Sequence, residues 1–163
     1  MNKHDWTSFK KRIDIKAAPH IIFDYWTKQG HIEKWFLSKA EFTAAGGNRK
    51  STFSSVAAND TYKWMWHGSD HVAEGKIIES NSTDLVKFTF LGCTVSVQIK
   101  EEQGTSIVEL IQSEIPLDED SRMQSYVGCT RGWTFYMANL KSILEGGIDL
   151  RNKNLALVDM INT

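Results

Sequence analysis

Apolar and polar residues alternate through most of the first two thirds of the chain, and the apolar spacing then lengthens to three and four near the end. A period of two marks strands half-buried on a sheet, and a period near 3.6 marks one face of a helix. Residues 9–15 read as a first strand with Ile13 and Ile15 inward. Ala18-Pro19 stops it, and Pro19 suits the first turn of a helix, where its missing N–H is not needed. Ile21, Ile22, Tyr25 and Trp26 make a short amphipathic helix to about Thr27; Gly30 breaks it, and a second short helix follows with Ile32, Trp35 and Phe36 as its apolar face. Residues 39–44 form a strand with Ala40, Phe42 and Ala44 on one side, and Gly46-Gly47-Asn48 turns the chain. A return strand over 49–54 leads into a loop through Asn59-Asp60.

The next strands are sharply patterned. Tyr62, Trp64 and Trp66 share one face, and His67-Gly68-Ser69-Asp70 is a turn. Residues 72–79 form a strand that Asn81-Ser82 turns back, and residues 85–91 place Val86, Phe88 and Phe90 together. Cys93, Val95, Val97 and Ile99 share a face, residues 101–104 make a hairpin turn, and residues 106–112 set Val108, Leu110 and Gln112 on one side. Ile107, Glu109 and Ile111 fall on the other side, where the alternation leaves the isoleucines uncovered: a dimer patch, a contact for the terminal tail, or a one-residue slip in register. Short turns imply a mostly antiparallel sheet with one apolar face.

Residues 121–145 then read as one long amphipathic helix, with Tyr126, Thr130, Trp133, Met137, Leu140 and Leu144 on one face. Ser121-x-x-Gln124 has the form of a capping box, Asp118, Glu119 and Asp120 suit the positive end of the helix dipole, and Gly146 suits the left-handed residue that ends a helix. A single helix of this length needs a curved sheet to lie against. Beyond Gly147, Leu155, Leu157, Val158, Met160 and Ile161 allow a short terminal helix or a frayed tail.

Composition narrows the function classes. With 163 residues, a single domain over 1–163 is expected, its core at about 9–145 and a tail at 148–163. Nineteen basic and twenty acidic residues nearly cancel, so bulk charge points to neither nucleic acid nor an anionic membrane. The apolar runs are too short for a membrane span, and the N-terminus lacks the apolar core of a signal peptide, so a cytoplasmic protein is expected. Cys93 and Cys129 fit free thiols, the five histidines show no ligand spacing, and no metal or cofactor is expected. His67, Asp70 and His71 read as a solvated turn rather than a catalytic cluster, so a cyclase- or hydrolase-like enzyme is the least favoured reading. Six tryptophans must line a space or fill it.

The order of strand, two short helices, antiparallel strands and long C-terminal helix resembles the α+β helix-grip fold of START-like (Bet v 1-like) proteins. Trp35-Phe36, the strand Gly75-Lys76-Ile77-Ile78-Glu79, Val108-Glu109-Leu110 followed by Gln112, and Gly132-Trp133 followed by residues 139–145 resemble motifs of the family named after activators of the Hsp90 ATPase. The run from Tyr62 to Gly68 and the ending from Leu144 to Arg151 are similar to small bacterial START-like proteins. The resemblance implies a curved sheet wrapped around the last helix, with a space between them.

Residues expected to face that space are Trp35, Phe36, Tyr62, Trp64, Trp66, Phe88, Phe90, Val97, Leu110, Gln112, Tyr126, Thr130, Trp133 and Met137. Tyr62, Thr130, Gln112 and the indole N–H groups supply polar atoms to orient a guest, while the bland alternative is that the aromatics plug the space. The first reading is a non-enzymatic domain binding a small hydrophobic or amphipathic molecule. Its rival, implied by the family resemblance, is a module that contacts a chaperone.

Overall fold

The computed structural model describes residues 3–161. Strand β1 (Phe9–Ile15) is followed by α1 (Pro19–Thr27) and α2 (Gln29–Ile32), then by β2 (Lys39–Thr43), β3 (Thr61–Met65), β4 (Val72–Ser80), β5 (Leu85–Phe90), β6 (Cys93–Glu102) and β7 (Thr105–Ser113). The C-terminal helix runs as α3 (Glu119–Ser121), a π-helical segment Arg122–Gly128, and α4 (Cys129–Gly146). All seven strands pair antiparallel in the order β1-β7-β6-β5-β4-β3-β2, with β1 closing against the last strand. This is the α+β helix-grip fold: a seven-stranded curved antiparallel sheet with a long C-terminal helix and short helices after the first strand.

The period-two pattern predicts the inward face correctly. Phe88, Val95, Val97, Val108, Leu110 and Gln112 are all buried, and Val95 pairs with Gln112 and Val97 with Leu110 across β6 and β7. No register slip occurs in β7; a register shift does lie between Ile77 and Glu79 of β4. Ile107 pairs with Asp14 and Lys100, Ile111 with Lys10 and Ser96, and both isoleucines are half-buried rather than uncovered. Long lysine stems cover apolar surface while their charge stays in water.

Several boundaries differ from the sequence reading, each for a local reason. The break between the short helices lies at Lys28, whose backbone is extended, whereas Gly30 sits inside α2 and donates its N–H to the Thr52 carbonyl. Residues 49–54 make only an isolated bridge, Thr43 to Arg49, instead of a strand. Asp118, not Ser121, caps the long helix by accepting the Ser121 N–H at 2.9 Å. The left-handed terminator is Gly147 (φ 72°), one residue beyond Gly146.

Among the described residues the tail forms no terminal helix. It is latched instead. The side chain of Arg151, 2% exposed, donates to the carbonyls of Glu33, Lys34 and Leu37 in the segment that follows the second short helix. Asp149 accepts from Arg151 and from Asn139, and the fully buried Asn139 also donates to the Trp35 carbonyl and accepts the Leu150 N–H. Partial burial pushes the Asp149 carboxyl up, but bonds from Arg151, Lys153 and Asn139 outweigh it and hold the group well below the usual carboxylate range.

Removing the guanidinium takes its main partner from this carboxylate and leaves the carbonyls of Glu33, Lys34 and Leu37 without their donor. Arg151→Ala is therefore expected to lower unfolding free energy by about 2–4 kcal/mol, since bonds to charged groups contribute roughly 1.5–3 kcal/mol. Because the folded-state pKa of Asp149 is depressed, its contribution is present above the ordinary aspartate value near ~4 and is lost as pH falls from there through the folded value. Urea melts of wild type and Asp149→Asn between about pH 7 and pH 3 check this. A variant as acid-sensitive as wild type excludes the latch as the source.

Candidate functional site

Trp133 of α4 is the hub of the space beneath the helix. Its ring stacks on Phe36 at 5.1 Å and lies 5.4 Å from Phe90, 5.9 Å from Trp26 and 6.3 Å from Phe88. Phe36 meets Trp64, Trp66 and Tyr136 edge to face, and Tyr62 stacks on Trp64 at 3.8 Å. Offset and edge-on pairs of this kind add stabilisation beyond area burial. The aromatics thus fill most of the space.

What remains open is an apolar cleft of about 230 Å³ between α4 and the β5–β6 turn. Its walls are the rings of Phe36, Trp66, Phe90, Trp133 and Tyr136; Leu91, Gln124 and Cys129 complete the rim. Gly128 and Gly132 lie one helical turn apart in this lining, and a Cβ on Gly128 would meet the Met123 carbonyl oxygen at 3.4 Å. A Cβ on Gly132 would meet no atom within 4 Å. No residue of the lining carries a charge. Burial pushes the Tyr136 hydroxyl up to about 12, and it pushes the Cys129 thiol up as well, so both stay protonated at neutral pH.

Of the residues expected to face the space, Phe36, Trp66, Phe90 and Trp133 line the cleft. Trp35, Tyr62, Trp64, Phe88, Val97, Leu110, Gln112 and Met137 are buried behind them as packing. Tyr126 points elsewhere: it bonds His4 Nε2 at 2.7 Å and packs edge-on against Trp6 and Phe9. Thr130 lies on the outer groove of α4, its hydroxyl donating to the Val127 carbonyl. The polar atoms assigned to a guest are mostly engaged within the protein. Tyr62 donates to the Thr89 carbonyl, Trp35 to the Tyr25 carbonyl and Trp133 to Gln112. The indole N–H groups of Trp26 and Trp64 have no hydrogen-bond partner, and both rings pack edge to face against aromatic neighbours.

Gln112 explains the π-helical segment. Its amide, fully buried, donates to the Ser125 carbonyl at 3.0 Å and accepts the Trp133 indole N–H at 3.0 Å. A side chain that inserts into the helix hydrogen-bond ladder is a recognised cause of local distortion, and Ser125 lies within the π-helical segment. Leu91, Gln124, Gly128, Cys129, Gly132 and Tyr136 were not anticipated. The spacing of Gly128 and Gly132 was the available signal, since two glycines on one helix face leave a groove.

The family model for Activator of Hsp90 ATPase homolog 1-like protein matches residues 16–145. The chain belongs to this family. Its START-like fold is shared with solved structures of low sequence identity. SSP2350 from Staphylococcus saprophyticus has a TM-score of 0.69 at 16% identity, covering 88% of this chain and 96% of that one. The structure described as the Aha1 dimer from Colwellia psychrerythraea has 0.68 at 18%, covering 86% and 97%. EF2215 from Enterococcus faecalis, described as a conserved protein of unknown function, has 0.64 at 16%, covering 85% and 71%. None of the curated proteins matches this chain. Two of the resembling motifs have a physical basis here. Gly75 lies opposite Tyr62 across β3 and β4, and a Cβ at that position would overlap the tyrosine ring; Gly132 opens the cleft beside Trp133.

Gly75→Ala is accordingly expected to cost about 1–3 kcal/mol, the usual range for overpacking, read as a lower denaturant midpoint. Gln112→Leu leaves a buried indole N–H and a buried carbonyl unpaired, at roughly 1–3 kcal/mol each. Its amide-exchange protection is expected to fall first across residues 122–128, where Ser125 loses its partner.

Proposed function

We propose that this protein binds a compact, uncharged, apolar or amphipathic molecule in the cleft between α4 and the β5–β6 turn. The observation that carries this reading is the cleft itself: five aromatic walls, a rim of Leu91, Gln124 and Cys129, and no charged lining residue. Small-molecule sites are usually built this way, with largely pre-formed apolar walls and few polar groups. At about 230 Å³ the space falls below the ~300 Å³ typical of sites for drug-sized ligands and holds roughly eight waters at ~30 Å³ each. A mono- or bicyclic guest fits it; a long-chain lipid does not fit within it. An ionised group would lose its hydration there without a partner, so a neutral guest is favoured. Binding rather than reaction is favoured because Cys129 is the one nucleophile of the rim and its thiol is held protonated.

Gly132→Leu tests the reading because a Cβ at this position meets no atom within 4 Å, and glycine is the poorer helix former by about 1 kcal/mol. Calorimetric titration with indole, 2-naphthol and biphenyl is expected to show binding of at least one to wild type. The leucine variant should lose it while melting at an equal or higher temperature. Wild type that binds none of them, or a variant that binds as well as wild type, overturns the proposal. A chaperone retained from lysate equally by both proteins, with no probe bound, would instead favour the interaction module that the family name implies.

A further inference from the structure

Two hairpins in the sheet share almost the same turn but carry different residues. In the β5–β6 turn, Leu91 has φ 49° and Gly92 76°; in the β6–β7 turn, Gln103 has φ 49° and Gly104 75°. Positive φ at both central positions is the turn whose twist matches paired strands, and it favours Asn-Gly or Asp-Gly. Leucine is among the poorer choices for the first position. Its Cβ crowds the backbone in the left-handed region, and it has no polar side-chain atom to bond locally in return. The remote turn uses a polar residue, as an exposed turn should. The other turn holds a leucine that is 49% exposed, and that leucine forms the rim of the cleft.

Opposite Leu91, the rim is Gln124 and Gly128 of the π-helical segment. Such segments are rare and occur disproportionately at functional sites. The cleft mouth therefore brings together two backbone conformations that ordinary folding does not favour. Backbone strain held by the surrounding structure clusters at ligand clamps. Here it places an apolar side chain on one side of the opening and an amide on the other.

We infer that Leu91 is a ligand-contact residue, kept left-handed so that its side chain closes the mouth over a neutral mono- or bicyclic aromatic guest, whose hydroxyl or carbonyl end faces Gln124. This inference rests on the binding reading above and adds the residues that select the guest. Leu91 contributes apolar contact at the outer edge, and Gln124 favours a guest with one uncharged hydrogen-bonding group over the bare hydrocarbon.

The test compares Leu91→Asn with Gln103→Asn, using 2-naphthol as the probe and calorimetry for affinity. Both substitutions place a residue suited to the left-handed turn, so both are expected to raise the melting temperature, by about 2–4 °C for a chain of this size. Only Leu91→Asn is expected to weaken 2-naphthol, by roughly 3- to 10-fold, as partial loss of an apolar contact predicts. Gln124→Leu is expected to narrow the preference of the site for 2-naphthol over naphthalene. A Leu91→Asn protein that melts higher yet binds 2-naphthol within twofold of wild type overturns the inference and leaves the binding reading intact. So does a Leu91→Asn protein that melts lower, since Leu91 would then be packing rather than strained. Wild type that binds no probe overturns both.

Discussion

Much of the structure depends on one side chain, Trp133, being wedged between the long helix and the concave face of the sheet. Its ring touches aromatics from α1, the turn after α2, and β5, so a single contact ties helix, strands and crossover together. Rings alone would allow the helix to slide. The indole N–H fixes the depth by bonding Gln112 of β7, and the same amide holds the Ser125 carbonyl one segment earlier. Directional bonds in a buried setting are costly to break, because neither partner finds water elsewhere. The widened turn and the glycine pair that follows it then leave the cleft as a by-product of this register.

The opposite wall of the cleft is set from the other end of the chain. Phe36 follows Trp35, whose carbonyl is held by Asn139 of α4, while Arg151 ties down the carbonyls on either side. Helix, tail and the segment bearing Phe36 therefore move as one unit. The latch is polar and buried, so it acts through geometry rather than through apolar area, and an alternative docking of the tail would leave charged and polar groups unpaired. A tail that looks dispensable by composition positions a wall of the candidate site.

The sheet was legible because its inward face is read twice, once by alternation along each strand and again by pairing across them. Val86, Phe88 and Phe90 face Val97, Val95 and Cys93 in the observed register, so each strand corroborates its neighbour. Local signals without such a second reading misled. Ser121 and Asp118 are both acceptable caps, and only the arriving chain selects Asp118. Tyr126 sat on the expected helical face, but the widened segment changes the phase there, and the N-terminal residues supply the rings it packs on. The cleft was not legible from its aromatics, since most of them fill space. It opens beside Gly132, where a Cβ would meet nothing, and the four-residue spacing of Gly128 and Gly132 was the one local sign of it.

That origin bears on how such a site binds. The rings around the cleft are held by one another, with Phe36 edge-on to Trp64, Trp66 and Tyr136 and stacked on Trp133, so they lose little freedom when a guest enters. A guest small enough for this space has few atoms, and small ligands gain between ~0.3 and ~1.5 kcal/mol per non-hydrogen atom. For about ten atoms that range runs from millimolar or weaker to picomolar affinity. Size therefore decides almost nothing, and complementarity to a rigid aromatic wall decides nearly everything. An enclosing fold that usually offers one large space has here been packed nearly solid, and the residual opening is selective because so little of it can adjust.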